Sequence, residues 1–359
     1  MVYVWYPTAS DQKTSSGAYV PGAKQIETVA GFDRARAGQI WPLIVSGTIK
    51  SHAREHALPA KSPARFPVVL FSHGNGVSSF VYSAAIEDLV SHGYIVAAVE
   101  HPYFSSAVVF PDGKVIVYAD RQTLNADRPS NVPYFEGVEL GMRDMRRLNE
   151  IQAADLRFAL DQLTLLDKSD NSPLSGRFDL SRVAAIGHSL GGMSAVRACQ
   201  KEPRITACAA LDTATPDGIF LRYPDAAPLR QPLLYVEATD SPTFTDQQLA
   251  DRGITRAAWT ANLAQVSETQ ERQLREGGKG SYKVKLRAPG MNHGSFGDTL
   301  LSATTPDAER RALHNLMLTV EVTRAFLDQQ LKSARTTLLD RGPSRNQEVT
   351  VTRYGAPSR

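Results

Sequence analysis

A chain of 359 residues, 42 % of them apolar, has material for one large core or two smaller ones. Its formal charge is +3 with acids and bases interspersed, so no basic stripe follows a phosphate backbone, and nucleic acid is not an expected partner. No apolar run approaches the ~20 residues of a membrane helix.

The chain opens on "MVYVWYP", whose alternation reads as a strand from residue 2. No charged n-region or apolar h-region precedes it, and a precursor's leader is expected to be missing, which leaves the compartment open. The next sixty residues read as irregular, ending in the Pro- and Ser-bearing "LPAKSPARFP". A regular pattern then begins: a strand at Pro67 to Ser72, a helix at Val81 to His92 stopped by Gly93, and a continuous apolar strand at Tyr94 to Glu100. "AVVFPDGKVIVY" reads as a hairpin about a Pro-Asp-Gly turn. A long amphipathic helix is expected over Leu140 to Leu166. There follow a strand Arg182 to Gly187, a helix Leu190 to Lys201, strands Ile205 to Leu211 and Pro232 to Glu237, and a polar helical stretch Asp246 to Gly277. A strand Tyr282 to Ala288 and a helix Asp307 to Leu331 complete the series. The only two cysteines, Cys199 and Cys208, lie in or beside apolar segments and are expected to be buried free thiols rather than a disulfide or a metal pair.

Apolar strands alternating with helices predict an α/β fold with a mostly parallel central sheet and helices on both faces. A single domain over 1–333 accounts for the pattern, with 103–147 and 241–280 as excursions near a pocket. Residues 334–359 are expected to be a polar tail or, through "EVTVTRY", an edge strand.

The strongest local signal is "RVAAIGHSLGGMSAVRA". Gly187-His188-Ser189-Leu190-Gly191 is a G-x-S-x-G between a short apolar strand and an amphipathic helix, the setting that the nucleophile elbow of an α/β hydrolase requires. Glycines on both sides leave room where a Cβ would collide, and Ser189 stands at the carboxyl edge of the sheet. A serine hydroxyl needs a histidine base, itself oriented by a carboxylate. In this fold the carboxylate and then the histidine follow the serine, and only His293 and His314 come after Ser189. His293, in the loop "APGMNHGSFGD" after a strand, is the expected base; His314 lies on the last helix and reads as a surface or packing residue. For the acid, Asp212 in "ACAALDTATP" and Glu237 or Asp240 in "LLYVEATDSP" all end strands, and the pattern leaves them open.

"VVLFSHGNG" then reads as the second half of an oxyanion hole. Gly74 and Gly76 turn the loop so that the Asn75 amide meets the charged oxygen together with the Leu190 amide, while His73 pins the loop. One competing motif, His52-Ala53-Arg54-Glu55-His56, satisfies H-x-x-E-H, which on a helix would set His52 and His56 on one face for zinc with Glu55 as base. The two turns available before Pro59 and the lack of a third ligand favour a charged linker helix there.

The segments "FPVVLFSHGNG", "YSAAIEDLVSHGYIVAAVEHP", "VAAIGHSLGG", "ACAALDTATP" and "NHGSFGD", in this order, resemble the platelet-activating-factor acetylhydrolase family in its secreted and type II branch. The resemblance covers about Phe66 to Asp298. It implies Ser189 as nucleophile, His293 as base, Asp212 as acid, and an oxyanion hole of the Asn75 and Leu190 amides, with no metal or cofactor. Mammalian members carry leucine at the position of Asn75 and phenylalanine at that of Leu190. The implied activity is release of a short or oxidised acyl group from a phospholipid-like ester, with a generic short-chain or polyester hydrolase close behind. A zinc peptidase built on His52 and a non-catalytic binding protein are readings of other classes. The expected partner is a small or lipid ester, with peripheral membrane contact through the apolar "GIFLRYP" after Asp212.

Overall fold

The structure, a computed structural model, describes residues 1–9, 15–34, 38–118, 134–213, 228–238, 245–250, 255–340 and 348–355. Strands are β1 Val2–Trp5, β2 Ser16–Ala18, β3 Lys50–Arg54, β4 Phe66–Ser72, β5 Ile95–Val99, β6 Ala107–Val109, β7 Val115–Val117, β8 Phe178–His188, β9 Ala207–Leu211, β10 Leu233–Ala238, β11 Ser281–Leu286 and β12 Val349–Tyr354. Helices are α1 Ala23–Thr28, α2 Trp41–Val45, α3 Ser83–Ser91, α4 Tyr134–Asp167, α5 Leu190–Lys201, α6 Asp246–Ala250, α7 Arg256–Gly277, α8 Pro306–Lys332 and α9 Thr337–Asp340. Short 3-10 turns cover Ser79–Tyr82, His293–Phe296 and Thr299–Ser302.

Among the described residues the main sheet runs β1-β5-β4-β8-β9-β10-β11-β12. Every pairing from β5 to β11 is parallel, and the antiparallel strands β1 and β12 close the two edges. Strands β4, β5 and β9 are buried along their whole length, as strands covered on both faces must be. Alternate residues divide between two cores. Val69, Phe71, Val96, Ala98 and Ile186 pack with Ile86 and Leu89 of α3 and Val322 and Phe326 of α8. Val68, Leu70, Ile95, Ala97, Val183 and Ala185 pack on the other face with Leu156, Leu160 and Leu163 of α4 and Val196 of α5. Each such fully buried Leu or Val contributes about 1.5–3 kcal/mol. The chain leaves β4 for β5 on one side and returns to β8 on the other. The crevice at the carboxyl ends of β4 and β8 is therefore the topological switch point, where ligands bind in open α/β sheets.

Several expectations change. The irregular N-terminal stretch is a small cap: β2 pairs with β3, and Tyr19, Ile26, Trp41 and Ile44 form an apolar cluster joined by Phe32, Ile40 and the β6–β7 hairpin valines. Its helices have six and five residues, too short to show a 3.6-residue period. "SHAREHALP" is not a helix. Residues 50–54 are strand β3, His56 takes a left-handed φ of 55°, and His52 Nδ1 lies 3.0 Å from a Glu87 oxygen, so the helical face required for zinc does not form. Nor are the cysteines free: Cys199 and Cys208 form a disulfide. Helix α5 folds back along β9, the strand it leads into, and this packing sets the two Cα atoms 6.5 Å apart. The polar stretch before β11 is split into α6 and α7, and "EVTVTRY" is an edge strand, paired residue for residue with β11.

Candidate active site

Ser189 caps α5 at the end of β8 with φ 56° and ψ −123°, a region that a serine occupies only under tertiary constraint. The constraint is visible in its neighbours. A Cβ on Gly187 would lie 2.3 Å from the Gly191 carbonyl oxygen, and one on Gly191 would lie 2.1 Å from that of Ser72. Strand β4, the elbow and the first turn of α5 thus touch backbone to backbone, which is why the motif needs glycine at both ends. The Ser189 N–H donates to Leu211 O at 2.9 Å, and the Thr213 hydroxyl donates to Ser189 O, so the elbow is fastened to the end of β9.

Asp212 follows β9 with φ 44°. Its Oδ1 accepts the Ala238 N–H at 2.9 Å, and its Oδ2 lies 2.6 Å from His293 Nδ1. A carboxylate only accepts, so Nδ1 carries the proton and Nε2 keeps the lone pair of a base. His293 begins a 3-10 turn capped by Asn292, whose Oδ1 accepts the Gly294 N–H at 2.9 Å while its own N–H donates to Ser295 Oγ at 3.0 Å. His293 is half exposed, Asp212 is nearly covered, and His293 and Ser189 line one cavity of about 470 Å³. Of the other acids, Glu237 is engaged by Lys283 at 3.0 Å and Lys285 at 3.9 Å, and Asp240 lies outside the described residues, as does "GIFLRYP". His314 is on α8, 3.1 Å from Glu348.

The β4 loop meets the elbow from the other side. Gly76 takes φ 74° and its N–H donates to Phe104 O at 2.7 Å, so the loop turns at Asn75. Among the described residues, neither the Asn75 nor the Leu190 backbone N–H has a hydrogen-bond partner. The Asn75 side chain donates to the Tyr118 hydroxyl at 3.3 Å. His73 is fully buried. Its Nδ1 donates to Gly74 O at 2.8 Å, and its Nε2 accepts from the Ser105 hydroxyl at 2.7 Å and from the His101 N–H at 3.3 Å. Burial, helped by His101, holds the His73 imidazole well below its ordinary pKa, so it is neutral and clamps the loop.

Two residues that the sequence did not single out join these pieces. The Tyr82 hydroxyl accepts the Gly74 N–H at 3.2 Å and donates its one proton to His188 Nδ1 at 2.8 Å. His188 Nε2 therefore carries the ring proton, and the ring is buried beside that of His293 at a distance of 4.4 Å. Burial first, then His293, pushes the His188 pKa down to about 3. His188, Asp212 and His293 offer nitrogen and oxygen atoms within 4.8 Å of one another.

Asp298, five residues after His293, lines the same cavity. It accepts the Tyr19 hydroxyl at 2.8 Å and the Ala84 N–H at 3.3 Å, which ties the cap to the loop bearing His293. Burial raises its pKa to about 7. Its position beside the sequence-predicted base was the only signal that could have found it.

A serine on a strained strand-to-helix turn, at the switch point of a mostly parallel sheet with an Asp–His pair beside it, defines an α/β-hydrolase-fold protein. The fold is shared with a ferulic acid esterase of Streptomyces cinnamoneus, with a TM-score of 0.63 and 24 % identity over 98 % of this chain and 88 % of that one. More narrowly, the chain belongs to the platelet-activating factor acetylhydrolase, isoform II family, whose model matches residues 1–272. The platelet-activating factor acetylhydrolase of Cavia porcellus is 32 % identical over 179 residues, 47 % of this chain and 39 % of that protein. That of Gallus gallus is 26 % identical over 317 residues, 82 % of this chain and 68 % of that protein. The chain spans 39–41 % of the length of its relatives from Cavia porcellus, Canis lupus familiaris and Bos taurus.

Proposed function

We propose that this chain is a serine-dependent carboxylic ester hydrolase. Ser189 Oγ attacks the ester carbonyl while His293 Nε2 takes its proton, and the proton passes to the leaving alcohol. Water then attacks the acyl-enzyme with His293 again as base, releasing the acid and restoring the serine. Asp212 holds the imidazole in its Nδ1–H tautomer, and the Asn75 and Leu190 N–H groups stabilise the oxyanion. The observation that carries this reading is the 2.6 Å contact between His293 Nδ1 and Asp212 Oδ2 beside a cavity lined by Ser189. Its support is reinforced by the two backbone amides left uncommitted on either side of the serine.

The names of the relatives support a short acyl group on a phospholipid-like ester: they are acetylhydrolases, and one is a probable 1-alkyl-2-acetylglycerophosphocholine esterase of Arthroderma benhamiae. Ser189→Ala should lower p-nitrophenyl acetate turnover by about three orders of magnitude or more and abolish labelling by a fluorophosphonate, with an unchanged melting curve. Retained turnover, or a label found on another residue, would overturn the assignment.

A further inference from the structure

The cavity beside Ser189 is larger than an acetyl ester needs. At ~30 Å³ for each water-sized group, its volume of about 470 Å³ holds roughly fifteen such groups. Tyr19, Ile26, Phe32, Ile40, Trp41 and Ile44 of its lining all come from the cap formed by β2, β3, α1 and α2. These residues also form the cap's own apolar cluster, so the cap side of the cavity is a hydrophobic core left open on one side. The polar atoms of its aromatic residues are used elsewhere. The Trp41 indole N–H donates to Glu27, which also holds Arg34 at 2.7 Å, and the Tyr19 hydroxyl donates to Asp298 at 2.8 Å. The Phe32 and Trp41 rings pack against each other, 4.8 Å apart and tilted by 48°. Among the described lining residues there is no Lys or Arg, and the carboxyls present are Asp33 and Asp298.

We infer, resting on the ester hydrolase reading above, that this cap side is a specificity subsite for an uncharged apolar group of the ester longer than acetyl, with an eight-carbon chain as its probe. Such a group gains by burial against aromatic and branched side chains. An oxidised acyl chain ending in a carboxylate would lose its hydration with no cation among the described lining residues to replace it, so the neutral chain is the better substrate. The cap thus sets which ester is taken while the sheet edge carries the chemistry.

The test uses the whole chain and two series: p-nitrophenyl acetate, octanoate and the half-ester of suberate, then ethyl and octyl acetate. In at least one series, kcat/KM should favour the eight-carbon group by about tenfold or more, and octanoate over suberate by a similar factor. Trp41→Ala, which opens the cap side, and Ile40→Trp, which fills it from a half-buried position, should each compress the octyl-to-short ratio by about fivefold or more. Should Trp41→Ala not fold, Ile40→Trp decides. No preference in either series, ratios unmoved by the folded variants, or suberate preferred over octanoate would overturn the subsite. The outcomes separate from those for the catalytic reading: if Ser189→Ala is inactive while the ratios stay fixed, only the subsite fails.

Discussion

Tyr82 joins the loop after β4 to the elbow through a single oxygen, which accepts the Gly74 N–H and donates to His188. Its ring packs 5.0 Å from Phe71 and 5.6 Å from His188, so Tyr82→Phe keeps the packing and removes only the hydroxyl. The Gly74 N–H would then be buried without a partner, at a cost of about 1–3 kcal/mol. Because the loop that aims the Asn75 amide is loosened while the cavity stays, kcat for a short ester should fall about tenfold with KM little changed. Rates normalised to fluorophosphonate-titrated sites check this, since a purely structural role would lower the number of active sites and leave kcat per site alone. At this scale the sequence was legible where chemistry restricts residue choice. Gly187 and Gly191 stand where backbone contact excludes a Cβ, Ser189 stands on the strained turn between them, and the late His293 meets Asp212. Tyr82 was not legible, because an aromatic at a helix start carries no mark of the amide it will meet across the sheet edge.

Helix α5 and strand β9 carry the two ends of the candidate machinery, Ser189 at the start of one and Asp212 at the end of the other. The disulfide Cys199–Cys208 closes the nine-residue separation between them. By the chain-entropy account, a closed loop of this size is worth about 3 kcal/mol. Equilibrium unfolding in urea with and without dithiothreitol should show the midpoint falling on reduction with the slope nearly kept; an unchanged midpoint would mean that the bond contributes nothing. The thiols looked free in the sequence because apolar surroundings suit a buried Cys equally well, and only the packing of α5 along β9 brings them together. The same limit hid the cap. Strands β4, β5 and β9 and helices α5 and α8 were readable from long, clean periodicity, whereas α1 and α2 owe their existence to Trp41, Ile44 and Ile26 finding each other. Edge strand β12 sits between these cases: its alternation was visible, but its partner β11 was not.

Across the whole molecule, folding buries titratable groups that pull stability in opposite directions with pH. An unfolded histidine takes a proton near 6.5, while folded His188 resists until about 3. The unfolded chain therefore binds more protons in that window, and stability falls as pH drops through it; His73, also held low, acts in the same direction. Asp298 does the reverse. Unfolded, it ionises near 3.8, but in the folded protein burial keeps the proton up to about 7, so its contribution is lost as pH rises between these values. The two trends overlap, so the wild-type profile alone would not separate them. Asp298→Asn does, because the amide cannot ionise and leaves the histidines in place. Near pH 4 the two proteins differ only by the packing and hydrogen bonds of Asn against a protonated Asp. As pH rises to 7 the wild type should lose ground to the variant by several degrees in Tm, at roughly 2 °C per kcal/mol for a chain of this size. Melting curves at half-unit steps from pH 4 to 8 measure the gap. A gap that stays flat, or that moves in favour of the wild type, would mean that Asp298 folds in its ionised form with Tyr19 and Ala84 sufficient to hold the charge.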